Sequence, residues 1–488
     1  MRGQRNSKSL VASRRRLLQA AGATVASYLL PSGTALAATD LTGRLATYMV
    51  ASRDRALPDP VVLAAKHRIL DTVAAMVSGS ALSPGVVAIR FIRSQGGVPE
   101  ASVVATNIKT SAISAALING MLAHADESDD FEPVTKAHPG SAAVPAALVM
   151  AEKEHRAGSD MIRAVALGYD VGCRFLLALG PDLVRRTHRG AEGYGATMAA
   201  MAAAASLARF DEKGMRYAIS YGAQQVSGLW SWVDDHDHIE KAFDFAGMGV
   251  RNGVTAAVMV QAGFTGVDNV LDDTHNVLQA LSTEPKPEAM VADLGSRYFV
   301  AESSIKSFPA GYPNQAPLDA LLKLSREHGL TPDKVDHIVV HLPEDAIGIV
   351  SNSPMPDVNC QYLMATALVD GGVSFANSNS REHMAAPQIR ALMDRVKVIG
   401  DPKLNDPAAP RGGLVEVVLK DGQTLSHHTR FPPGTKENPL DSDALNAKAR
   451  DLMAPVLGAE RTENAIRQIN GLEKVSDVAE LVRSVLTV

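Results

Sequence analysis

The chain has 488 residues, 46% hydrophobic and 21% charged, enough apolar material for two or three packed domains, which excludes global disorder. Aromatics make up only 5% against 38 glycines, a balance that favours closely packed helices over a large β-sandwich. The formal charge is −5, but residues 1–37 hold six basic groups and no acid; the remaining 42 basic against 53 acidic groups (−11) exclude a general nucleic-acid binder.

Taken in chain order, the first segment reads as an address. Arg2, Arg5 and Lys8 precede Ser13-Arg14-Arg15-Arg16-Leu17-Leu18, an apolar run continues to Leu30, and Ala35-Leu36-Ala37 is a small-residue cleavage site before Ala38. The Ser-Arg-Arg-x-hydrophobic-Leu pattern is similar to a twin-arginine signal, so the expected product is a soluble periplasmic protein with no membrane attachment once residues 1–37 are removed. An uncleaved anchor is the alternative, disfavoured because the apolar run is shorter than the roughly 20 residues a bilayer needs.

From 38 to about 300 the pattern is helical. Apolar positions recur at three- and four-residue spacing from Pro60 to Val77, and the same holds over Ala112–Ala125, Ser141–Glu154, Asp160–Leu177 and Thr197–Arg209. The texture then changes. His337–Leu342 and Gly413–Leu419 are β-branched runs of strand length, and Lys420-Asp421-Gly422-Gln423 followed by Thr424–His428 predicts a hairpin. Helical patterns at Pro317–His328 and Pro387–Val396 accompany them, which makes 301–433 a small α+β domain. Residues 434–488 return to helix. The expected fold is mainly α: a large all-helical domain built from both ends of the chain, with an α+β lid inserted, and a ligand site in the cleft between them. Cys173 and Cys360 allow one disulfide at most.

The densest polar cluster is His124-Ala125-Asp126-Glu127-Ser128-Asp129-Asp130, followed by His138-Pro139-Gly140. It lies between two helical patterns, so His138 is expected at a helix N-terminus, where the dipole lowers an imidazole pKa and attracts a carboxylate. A neutral His beside carboxylates suits proton transfer near pH 7; the bland alternative is a loop in which the acids cap turns. His124 and His138 with the acids, or Asp234-Asp235-His236-Asp237-His238, could instead hold a divalent ion, but neither has a specific metal spacing, and no metal is expected. Lys241, Arg251 and Lys306 are the cations that could receive an anion. There is no phosphate loop and no nucleophile elbow.

Four segments together resemble the MmgE/PrpD family, which includes 2-methylcitrate dehydratase, cis-aconitate decarboxylase and iminodisuccinate epimerase. They are Asn119-Gly120 through Asp130 with His138-Pro139-Gly140 and Val144–Ala147; Ala164–Val171; Lys241 through Arg251-Asn252-Gly253; and Ile305-Lys306-Ser307-Phe308-Pro309 with Gln315 and Leu318-Asp319-Ala320. The resemblance implies a homodimer with no required cofactor, acting on small di- or tricarboxylates by proton transfer at a carbon beside a carboxylate. By position, His138 matches the family's active-site His, Lys241 and Lys306 its carboxylate-binding lysines, and Asp126 or Glu127 its acidic position. Arg251, Asp130, Gln315 and His188 complete the expected substrate contacts.

Two departures stand out. The family's second active-site His falls where this chain has His188-Arg189-Gly190-Ala191-Glu192-Gly193-Tyr194, so Glu192 or Tyr194 is the candidate replacement. Decarboxylase-type relatives carry a Tyr where Ile347 stands. The resemblance therefore implies, first, a hydro-lyase acting on a hydroxy di- or tricarboxylate such as 2-methylcitrate. Second comes an epimerase or isomerase, and third a non-catalytic exported carboxylate binder. His138→Ala and Lys306→Ala are expected to lower turnover and leave the fold intact.

Overall fold

Helix starts follow local chemistry. Pro60 opens α1 (Asp59–Gly79), Ser111 caps α2 (Ala112–Ala123) by accepting from the Ser114 amide, and Pro139 opens α3 (Pro139–Lys153). The computed structural model describes residues 40–487, so the expected export segment lies outside the described residues. From Leu41 onward the chain packs as one unit and is mainly helical.

Helix α4 (Gly158–Leu179) packs against α5 (Ala191–Leu207), every residue of which is buried. α6 (Met248–Gln261) lies on the other side of α5, entered through a π-helical turn at Phe243–Gly247. Small residues set these separations. A β-carbon on Gly172 would lie 2.8 Å from the Ala199 Cβ, and one on Gly249 2.5 Å from the Ala196 Cβ, so the backbones sit closer than larger side chains would permit. The sequence pattern places the start of α5 at Thr197, six residues late, because Gly193 and Gly195 resemble a loop. They are helical glycines pressed against Ser227 O and Leu176.

The mixed region holds a four-stranded sheet of order β2-β1-β3-β4, formed by β1 (Val335–Leu342), β2 (Val396–Gly400), β3 (Gly413–Leu419) and β4 (Thr424–Thr429). β1 runs parallel to β2 and antiparallel to β3, and β3–β4 is the expected hairpin, turning through Gly422 at φ 90°. The helical reading of Pro387–Val396 is corrected: the helix stops at Met393, and Val396-Lys397-Val398-Ile399 alternates into β2. Helices α7 (Gln315–His328) and α8 (Cys360–Asp370) build a separate apolar core with this sheet.

The C-terminal helices α9 (Ser442–Leu457) and α10 (Ala459–Asn470) return to the first core, where Leu445, Leu452 and Ile466 join Ile69 and Val73 of α1. Lys448 reaches Asp71 across that contact at 2.6 Å. Cys173 and Cys360 are both buried and unbridged. No single helix among the described residues is long and apolar enough to cross a membrane.

Candidate active site

The loop joining α2 to α3 folds its acids inward. The Asp126 carboxylate accepts from the Ser128 amide at 3.0 Å, from the Ser128 hydroxyl at 2.6 Å and from the Ser78 hydroxyl. That knot holds Glu127 at φ 54°, a left-handed conformation a side-chain-bearing residue rarely adopts. Asp126 is consumed by the loop, where burial raises its carboxyl to about 6. Of the two expected acids, it is Glu127 whose side chain reaches the cluster of cations.

Asp129 is the hub. Its Oδ2 accepts from His124 Nδ1 at 2.9 Å and from His138 Nδ1 at 3.1 Å, and its Oδ1 accepts from Lys306 Nζ at 3.2 Å. Burial alone would raise this carboxyl, but His124, Lys306 and His138 together hold it well below the usual range. With Asp129 ionised, both rings donate from Nδ1, so in a neutral ring Nε2 is the lone-pair atom. His138 occupies the N-cap of α3 and is 8% exposed. Asp130 fixes that turn: its Oδ1 accepts from the Gly140 amide at 2.8 Å and its Oδ2 from the Tyr169 hydroxyl at 2.7 Å. It is a positioning residue, not the expected substrate contact.

Lys241 lies in the short helix Ile239–Ala242, its amide bonded to Asp235 Oδ2 at 3.0 Å. Its ammonium touches Glu127 Oε1 and sits 5.2 Å from the Trp232 ring and 5.0 Å from the Phe245 ring. Burial draws it down to about 7, opposed by Asp357 and reinforced by Lys306. Lys306 is wholly buried, 3.0 Å from Glu127 Oε2. It supports the acids from behind and does not line the cleft.

The cleft in front measures about 450 Å³ and is lined by His138, Lys241, Glu127, Glu192, Arg185 and Arg411, with Lys136 at its edge and Trp230, Trp232, Phe245 and Tyr312 as its aromatic walls. Arg185 pairs with Glu192 Oε1 and lies over Trp230. Arg411 holds Asp345 at 2.7 Å. Burial would raise the Asp345 carboxyl, but Arg411 and Lys136 keep it at about 2. The lining brings four lysine and arginine side chains together, paired with Glu127, Glu192 and Asp345, so a bound polyanion would compete with these carboxylates for them. A second hollow of about 820 Å³ adjoins it, sharing Tyr312 and Arg411.

Four expected site residues lie elsewhere. Tyr194 packs in the helical core with Leu167 and Val171. Arg251 is turned onto Asn252 Oδ1 at 3.1 and 3.0 Å and over Phe243. Gln315 uses both ends of its amide to clamp the 307–310 backbone, at 2.9–3.1 Å. His188 is exposed in a left-handed turn at φ 61°. In each case the sequence places the residue near the right segment but does not specify which face it occupies.

The residues that sequence reasoning missed are Asp357, Arg185 and Arg411; it singles out His238 only within a possible divalent-ion run, not as part of the His138 cluster. His238 had a signal, since it ends the acidic run and follows the chain's two tryptophans, Trp230 and Trp232. Its Nδ1 lies 3.2 Å from Asp357 Oδ2 and its Nε2 3.5 Å from Glu127 Oε1. Asp357 and Arg411 arrive from the sheet-bearing region, where no local pattern marks them.

The MmgE/PrpD N-terminal domain family matches residues 43–290, and the MmgE/PrpD C-terminal domain family matches residues 308–474. A cis-aconitate decarboxylase-like protein, oryM, of Aspergillus oryzae is 24% identical over 474 residues, 91% of this chain and 96% of the relative. Cis-aconitate decarboxylase of Mus musculus is 25% identical over 398 residues, 76% of this chain and 77% of its own length. The Homo sapiens protein of the same name is 24% identical over 453 residues, 87% and 90% of the two chains.

Proposed function

Since the chain belongs to the MmgE/PrpD family, we propose that it is a lyase that removes water from a hydroxy di- or tricarboxylate, with His138 as the proton-transfer group. The observation that carries this reading is the pairing of His138 Nδ1 with Asp129, which directs the other ring nitrogen, Nε2, to proton transfer in a cleft lined by Lys241, Arg185 and Arg411. Nε2 takes the proton from the carbon next to a carboxylate. The C–H electron pair becomes the new C=C as the C–O bond breaks, and the departing hydroxyl leaves as water once protonated. Lys241, an ammonium that lines the cleft and that burial draws down to about 7, is the acid placed for that second proton. Lys241, Arg185 and Arg411 neutralise the substrate's carboxylates and the charge that develops on them. The sheet-bearing region 301–433 acts as the lid that contributes Tyr312 and Arg411, and the export address delivers the enzyme to the periplasm.

Loss of carbon dioxide is the second reading, favoured by the names of the three relatives. Against it, Ile347 stands where decarboxylase-type relatives carry a Tyr, and it packs into the sheet-side core. Proton and carbon NMR of candidate acids in heavy water, with labelled carboxyl carbon, separates these outcomes. A hydro-lyase yields alkene protons with the label retained, a decarboxylase releases labelled carbonate, and an epimerase exchanges deuterium without a new compound. No change with any acid of this class defeats the enzymatic reading. His138→Ala should lower turnover by roughly 10²–10⁴-fold with an unchanged melting temperature; near-normal turnover would move the proton transfer to another residue.

A further inference from the structure

We propose that His124, His238 and Glu127 form a binding site for one borderline divalent transition-metal ion, of which zinc is the type, buried behind the cleft wall that Glu127 and Lys241 line. The proposal does not require the reaction assigned above, although the site shares Glu127 and Lys241 with that cleft.

Three features of the geometry point there together. First, both imidazoles have their Nδ1 tied to a carboxylate, His124 to Asp129 at 2.9 Å and His238 to Asp357 at 3.2 Å. A carboxylate on one ring nitrogen is the support that metal-ligating histidines require, because it fixes the tautomer and makes the other nitrogen a better donor. Second, the two Nε2 atoms are buried and have no hydrogen-bond partner among the described residues. Both approach Glu127 Oε1, at 3.6 Å from His124 and 3.5 Å from His238. Two lone-pair nitrogens facing a carboxylate oxygen call for a positive centre among them, and the Lys241 ammonium, which meets the same oxygen, supplies one when no ion is bound.

Third, the spacing fits. Metal–nitrogen and metal–oxygen bonds of about 2.0–2.2 Å in tetrahedral zinc put neighbouring ligand atoms about 3.3–3.5 Å apart. The two nitrogen–oxygen distances match that within a few tenths of an ångström, and all three ligand atoms lie within 4.8 Å of one another. Two imidazoles and one carboxylate suit zinc better than calcium or magnesium, and three protein ligands leave a fourth tetrahedral position to be filled.

A second grouping, His124 with Asp129 and His138, is less suited. There the two Nδ1 atoms are already satisfied by Asp129 Oδ2, so no lone pair faces inward. Lys241 sets the condition for loading. Its ammonium touches the same Glu127 oxygen, so lysine and metal are alternatives there, and the ion enters as Lys241 withdraws toward Trp232.

The test is binding, read without turnover. The full protein is stripped with chelator and titrated with zinc by calorimetry; a parallel titration with cobalt(II) follows the visible d–d absorption of a tetrahedral site. The expected result is one equivalent per chain. His238→Asn should weaken zinc at least 100-fold, while His138→Ala leaves the affinity within a few-fold of wild type. Asp357→Asn keeps all three ligands but removes the support of His238, and should weaken binding about 10- to 100-fold. This variant also decides the matter if His238→Asn does not fold. No binding by wild type, unchanged affinity in Asp357→Asn, or loss in His138→Ala equal to that in His238→Asn would each overturn the proposal.

Discussion

Lys306 carries its ammonium in a wholly buried position, 3.0 Å from Glu127 and 3.2 Å from Asp129. Removing one partner from a buried ionic cluster leaves uncompensated charge, at a cost of about 3–5 kcal/mol. Lys306→Met should therefore lower the melting temperature by several degrees as well as abolish turnover. Glu127→Gln in the same chain should restore part of that stability, because it removes one of the stranded charges. Thermal melts of the two single variants and the double variant check this; a Lys306→Met melt equal to wild type would show the ammonium to be dispensable for folding. The expectation that Lys306 can be truncated without structural cost is thus revised at this residue. What the sequence carried was the set of residue types and their order: His138, Lys241, Lys306 and the acidic run all reach one cluster. It did not carry orientation. Asp126 and Glu127 are adjacent in the chain, yet one closes a loop and the other faces two lysines, and a left-handed φ at Glu127 decides which.

Helix length and partner choice were legible where apolar spacing was regular, as in α1 and α4, and blurred where glycine stands inside a helix, as at the start of α5. The reason is mechanical. On α5 and its neighbours glycine is a packing residue, letting α4 and α6 close on α5 along small-residue seams. A β-carbon on Gly253 would lie 2.4 Å from the Met201 amide nitrogen and 2.6 Å from the Ala200 Cβ. Because backbone cannot yield like a side-chain tip, α6 would have to move off α5. Gly253→Ala should cost about 1–3 kcal/mol by overpacking. Gly348, in the helix Glu344–Val350, has open space where a β-carbon would stand, with no atom within 4 Å. Gly348→Ala should gain about 0.5–1 kcal/mol from helix propensity alone. Opposite shifts in denaturant midpoint are the signature; shifts of the same sign would mean that the seams are slack.

At the scale of the whole molecule, an acidic chain has placed carboxyl groups in its interior, and folding is thereby tied to pH. Asp244 is the sharpest case. Its Oδ1 accepts from the Leu229 amide at 3.1 Å, while its Oδ2 has no hydrogen-bond partner among the described residues. Burial raises its carboxyl to about 8, and the charges of Glu192 and Glu240 push the same way. A raised folded-state pKa means that the native protein keeps a proton the unfolded chain has released. Stability is then undiminished below about pH 4 and declines up to about pH 8, by at most about 1.4 kcal/mol per pH unit. Other groups titrate in the same span. Asp130 and Asp170, raised to about 6, add to the decline, and neutral buried His124 opposes it below about 6.5. Lys241, lowered to about 7, opposes it above that. Comparing wild type with Asp244→Asn cancels these contributions, since asparagine keeps the acceptor for Leu229 and has no proton to lose. The variant should melt close to wild type near pH 4 and gain on it steadily toward pH 8. Parallel melting curves across that range would mean that Asp244 is ionised at neutral pH, held by a cation or water that reaches its Oδ2.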